Sequence, residues 1–147
     1  MPNHFHLLLQ PNVKGGVSLF MQKLSTGYSM YFNKRYERTG TLLQGKFKAK
    51  IIDSDEYFRR VLNYIHGNAA ELFETGWKEG KIDNRKLLMK KLSSYSYSSL
   101  PDFIGGNRNV GRLLDKAAIL PALESKLTLE QILEEAEIFK ARSDLAL

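Results

Sequence analysis

The sequence predicts an α+β fold, and three observations predict it. Two short stretches alternate along the chain: Phe5, Leu7 and Leu9 interleave with His4, His6 and Leu8, and Phe47, Ala49 and Ile51 interleave with Lys46, Lys48 and Lys50. A period of two is the pattern of a strand with one face turned to a core. Residues 17–36 and 53–72 instead repeat apolar side chains every three to four positions, the pattern of a helix buried on one side. The chain has 147 residues, 43% hydrophobic and 26% charged, which suits one globular domain with its own core.

The first expected strand runs from Phe5 to Gln10 and places His4 and His6 side by side on one face. Pro11, Asn12, Gly15 and Gly16 make the turn after it. The helix from Val17 to about Tyr36 sets Phe20, Leu24, Gly27 and Tyr31 in one row, widened by Met21 and Tyr28, with Gly27 allowing close packing on a sheet. Arg38, Thr39 and Gly40 break it. Thr41 to Ile52 reads as extended, with a bend at Gly45. The next helix opens on Asp53 as N-cap with Glu56 three residues on, and buries Phe58, Val61, Leu62, Ile65, Ala69 and Leu72. Arg60, Tyr64 and Asn68, four apart, form a separate row on it. Arg85 to Leu92 is expected to be a short basic helix, and residues 111–123 a helix interrupted by Pro121. Thr128 and Gln131 form a capping box ahead of Leu129, Ile132, Leu133, Ala136 and Phe139.

Composition removes several classes of function. There is no cysteine, so disulfides and thiolate zinc sites are excluded, and the chain fits a reducing compartment. No apolar run is long enough to span a bilayer, and the start lacks the basic segment and long apolar run of a signal peptide. A cytoplasmic, nucleoid-associated protein is expected. The net charge is +6, and its distribution matters more than its sum. Lys34, Arg35, Arg38, Lys46, Lys48 and Lys50 fall within one stretch that holds a single acid, Glu37. Lysines on a strand face can simply block edge pairing; so dense a run favours a phosphate-binding surface.

Two imidazoles on one face make half of a metal site, since neutral imidazole binds several divalent metals. The plainer reading is two surface histidines near a chain end. A tyrosine hydroxyl can attack a phosphodiester when a metal neutralises charge on the phosphate, and Tyr64 lies one turn before Asn68, whose amide oxygen could add a third ligand. Most helix tyrosines do no chemistry, and Tyr28, Tyr31, Tyr36, Tyr57, Tyr95 and Tyr97 are expected in the core or at its rim. His66 is expected to be a packing or helix-surface residue. Arg60 has two equal readings, an ion pair with Glu56 or a contact to DNA.

The segments MPNHFHLLL at 1–9, YFNKRYERTGTLLQGKFKAKIIDSDEYF at 31–58 and YIHGN at 64–68 together resemble the HUH single-tyrosine transposases of the IS200-like superfamily. The similarity is closest to the REP-associated tyrosine transposases. It implies a ferredoxin-like antiparallel sheet with helices in a transposase domain over residues 1–100, and a helical C-terminal extension over 101–147. It implies that His4 and His6 bind a divalent metal, magnesium or manganese, with Asn68 as third ligand. Tyr64 is then the nucleophile that cuts single-stranded DNA hairpins, leaving a 5′-phosphotyrosine and a free 3′-OH, within one subunit or across a homodimer. Lys34, Arg35, Arg38, Lys46, Lys48, Lys50 and Arg60 are the expected DNA contacts. The chain departs from the family at Ala69, Ala70 and Glu71, where proline and a basic residue commonly stand, and at Lys46, where arginine is frequent. Met1 matches an internal methionine of the family, so the expected fold is N-terminally incomplete, without the preceding strand, helix and strand. A truncated or domesticated relative that holds DNA hairpins without cutting them is the alternative function.

Overall fold

The computed structural model describes residues 3–77, 81–119, 121 and 128–134. Among them helices supply all the regular structure: α1 (Gly16–Arg35), α2 (Asp55–Gly67), a 3-10 helix at Asn68–Leu72, α3 (Arg85–Ser93), α4 (Leu100–Phe103), a second 3-10 helix at Asn109–Leu113, and α5 (Lys116–Ile119). Residues 129–134 are helical as well.

The expected antiparallel sheet is not formed among the described residues: both Phe5–Gln10 and the lysine-bearing stretch 46–51 run without a ladder. The ferredoxin-like assignment is corrected accordingly, to a helical architecture. Alternation reports which side chains share a face, whereas a strand exists only when its backbone groups pair with a neighbour. Burial of one face is what specifies a register, and here that burial is missing. Phe5 is 50% and Ile51 89% exposed, and Leu7, Leu9 and Phe47 are also open. Leu, Lys, Ala, His and Gln make up most of these stretches, with Phe5, Phe47 and Ile51 as the strand-favouring residues in them.

The chain forms two units, Leu7–Ile51 and Met1–His6 with Ile52–Leu147. The first unit is built on α1. Gly15 opens the helix at φ +76°, a left-handed conformation that glycine adopts without a Cβ penalty. Lys34 and Arg35 close it where cations suit the negative end of the dipole. Asn33 Nδ2 then donates to the Gly40 carbonyl at 2.9 Å, which ties the helix end to the turn at Arg38–Gly40. The chain bends at Gly45, also left-handed at φ +69°. Met21 is the one buried hydrophobic residue among the described residues of this unit. Gly27 meets nothing within 4 Å, so the close packing expected there is not made.

In the second unit α2 begins one residue later than the capping pattern suggests. Ser54, not Asp53, is the N-cap: its Oγ accepts from the Tyr57 amide at 3.2 Å, while Asp55 and Glu56 face the positive end of the helix. The helix stops at Gly67 and tightens into the 3-10 turn, and Leu72 lies exposed rather than in the stripe. A core then gathers Ala69, Ala70, Trp77, Leu88, Leu92, Leu100, Ile132 and Leu133. Asn84 caps α3 by accepting from the Leu87 amide at 2.9 Å. That registers Leu88 and Leu92, one turn apart, into the core. The capping box at Thr128 forms as expected, with Gln131 N–H donating to Thr128 Oγ1 at 3.2 Å and Thr128 N–H to Gln131 Oε1 at 3.3 Å. The expectations for Ala136 and Phe139 lie outside the described residues.

A polar hub holds the loop between α3 and α5. The Arg108 guanidinium donates to both carboxylate oxygens of buried Asp102 and to the carbonyls of Ser96 and Ser98. Lys116 Nζ adds a 2.6 Å bond to the Asp102 carbonyl. Hydrogen bonding from Arg108 holds the Asp102 carboxyl below the usual carboxylate range, overcoming the opposing effect of burial. Gly111 is required beside it, since a Cβ there would stand 2.8 Å from Asp102 Oδ1.

Candidate active site

His4, His6 and Tyr64 meet within the second unit although about sixty positions separate them in the chain. The two imidazoles lie edge to face, with centroids 5.1 Å apart at 89°. The His6 ring stands against the Tyr64 ring at 5.7 Å and 74°. α2 carries Tyr64 in its last turn, where the side chain is half-buried. Asn68 follows one turn later as C-cap, its backbone N–H bonded to the Tyr64 carbonyl, and its side chain is buried.

The surroundings of His6 favour its neutral ring. Burial, then the neighbouring His4, holds the His6 pKa below its ordinary value. His6 Nε2 is buried without a hydrogen-bond partner. His4 Nδ1–H donates to Asn3 Oδ1 at 2.8 Å, because an amide oxygen can only accept; in the neutral ring that bond places the lone pair on Nε2. A ring nitrogen fixed by such a bond on its other side is the usual state of a ligating histidine. Among the described residues no group of three or more His, Asp or Glu is placed to hold a metal. The Asn68 Nδ2 end is buried and unpartnered, and an amide can rotate to present oxygen in place of nitrogen. Imidazole nitrogen and amide oxygen are both donor types that divalent cations accept.

The other expected residues are placed differently. Arg60 is ion-paired with Glu56, one turn earlier on α2. Lys34, Arg35, Arg38, Lys46, Lys48 and Lys50 are exposed and belong to the Leu7–Ile51 unit. His66 proves to be a packing residue. It is 1% exposed, its Nε2 lies 2.9 Å from Ser99 Oγ, and its ring stands 5.2 Å from Phe103. Burial pushes its pKa down to about 4. The tyrosines divide: Tyr57 and Tyr95 are half-buried as expected, whereas Tyr28, Tyr31, Tyr36 and Tyr97 are exposed, against the core-or-rim reading. Sequence reasoning also passed over Asn3, whose short polar side chain next to His4 was the available signal.

Residues 1–68 match the family model of IS200-like transposases, a match that includes His4, His6, Tyr64 and Asn68. It supports a transposase, a protein of DNA transposition and recombination. No curated protein and no solved structure matches the chain. Among the described residues, no helix is long and apolar enough to cross a membrane.

Proposed function

We propose that this chain cuts and rejoins single-stranded DNA hairpins through Tyr64, as a transposase of the REP-associated tyrosine branch. The observation that carries the reading is the ring contact between His6 and Tyr64, inside the segment that matches the transposase model. In the proposed step Tyr64 Oη bonds to the scissile phosphorus and its proton leaves. The bond from phosphorus to the 3′ oxygen breaks, and that oxygen takes a proton to become a free 3′-OH. The 5′ phosphate stays esterified to Tyr64. Attack by a free 3′-OH reverses the sequence and rejoins the strand.

His4, His6 and Asn68 would hold the divalent metal, magnesium or manganese, whose charge offsets that gathering on the phosphate oxygens. Two imidazole nitrogens favour manganese of the pair, since magnesium prefers oxygen donors. Attack requires the Tyr64 hydroxyl to lose its proton. Its setting beside the neutral His6 ring keeps a positive charge from blocking a cation there.

The experiment is denaturing electrophoresis of labelled hairpin DNA with manganese, the linked peptide being identified by mass spectrometry. A covalent adduct at Tyr64 is expected, absent in Tyr64→Phe while non-covalent binding persists. Binding without an adduct in the parent chain, or an adduct through another tyrosine, would instead support the hairpin-holding alternative or displace Tyr64 from the role.

A further inference from the structure

On α1 and at its C-cap the rings of Tyr28, Phe32 and Tyr36 stand four residues apart and so form a continuous ridge. The Tyr28 and Phe32 centroids are 6.1 Å apart, and those of Phe32 and Tyr36 4.5 Å. Arg38 closes the ridge with its guanidinium carbon 5.7 Å from the Phe32 centroid. Three aromatic rings in contact ordinarily mark a core. Here the outer two are open to solvent, Tyr28 at 50% and Tyr36 at 60%.

The charge around the ridge indicates what covers it. Leu7–Ile51 carries eight lysines and arginines and one acid, a net +7; the rest of the chain carries fourteen and fifteen, a net −1. The whole positive surplus therefore sits in the unit that bears the ridge. Lys34, Arg35 and Arg38 lie within its span or just past its end. A protein partner's docking face is depleted of charge at its centre. Aromatic rings interleaved with cations instead match a polyanion with flat apolar faces, since bases stack on rings while lysines and arginines meet phosphates.

We infer that the Tyr28–Phe32–Tyr36 ridge is a stacking platform for unpaired bases of single-stranded DNA. The inference rests on the proposed DNA chemistry and specifies how the Leu7–Ile51 unit grips the strand: by base faces, with little preference for sequence.

Fluorescence anisotropy of the full chain with a labelled oligothymidylate tests it. Tyr28→Leu and Tyr36→Leu keep an apolar side chain and remove the π face. Each should weaken binding by at least about fivefold, the lower end of what one stacked base contributes. The slope of log K against log salt should stay that of the parent, because no phosphate contact is lost. Tyr36→Phe should bind as the parent does. Photo-crosslinking of an iodouracil-substituted strand to the parent chain should label Tyr28, Phe32 or Tyr36, which gives a result independent of any variant. Unchanged affinity in both leucine variants overturns the inference, as does a crosslink confined to other residues. It is overturned equally if the variants leave DNA binding alone and instead turn a dimer into a monomer in sedimentation, which would make the ridge a face for a second copy. Should the parent fail to bind oligothymidylate at any salt, the DNA reading and the ridge fall together; if the parent binds and the ridge variants match it, only the ridge does.

Discussion

Leu7–Ile51 and the rest of the chain spend their apolar residues in opposite ways. In the first unit Phe20, Leu24, Tyr28, Tyr31, Tyr36, Phe47 and Ile51 are all exposed, and nearly every charge is positive. In the second, Trp77, Leu88, Leu92, Leu100, Ile132 and Leu133 are wholly buried, and the charges nearly balance. The groups suited to bond-breaking, His4, His6 and Tyr64, belong to the unit with a core. A nucleophile must be held to within a fraction of an ångström of a productive geometry, and packing supplies that constraint. Electrostatic attraction to a strand needs only proximity, and exposed lysines provide it without a core.

The largest effect that would break this division comes from exchanging losses between the units. His4→Ala or His6→Ala should abolish manganese binding by calorimetry and with it the adduct at Tyr64, while binding of hairpin DNA survives. The triple variant Lys46→Ala, Lys48→Ala, Lys50→Ala should do the reverse. Each neutralised phosphate on a single strand contributes a slope of about −0.7, so the salt slope should flatten by about 2, and the adduct should still form once DNA is saturating. A histidine variant that keeps full metal binding, or a lysine variant with the parent slope, removes that group from its role.

Next in size is a pH effect confined to the cored unit. The His66 imidazole titrates near 6.5 when the chain is unfolded and at about 4 when buried. The unfolded state therefore binds the proton more readily. The stability of the neutral, buried ring is whole above about pH 6.5 and falls as the pH drops towards 4, by about 3 kcal/mol. Urea unfolding followed by Trp77 fluorescence should show the decline. His66→Gln, which keeps a polar partner for Ser99 Oγ but does not titrate, should lack that component.

The smallest effect sharpens the comparison from the other unit. Gly27 sits inside α1 with open space where a Cβ would go, so Gly27→Ala should stabilise the helix by about 1 kcal/mol. Far-UV circular dichroism against temperature measures it. A loss of stability would mean that something packs on Gly27 after all.

What the sequence determined by itself is what depends on near neighbours. α1, α3 and the capping box at Thr128 were legible because a 3.6-residue period, a cap and a terminal charge all act within a turn. The start of α2 shifted by one residue because Ser54 and Asp53 are both competent caps, and only the bond to the Tyr57 amide decides between them. The candidate chemistry was legible as residue types and spacing, with His4 and His6 two apart and Tyr64 and Asn68 one turn apart. The tertiary structure decided everything that needs a distant partner. It left the alternating stretches at 5–10 and 46–51 unpaired, since a ladder needs a second backbone that a period of two cannot report. It buried His66 against Ser99 and Phe103, more than thirty positions on. It also set the His6 ring against Tyr64, a contact between residues so far apart in the chain that no local spacing reports it.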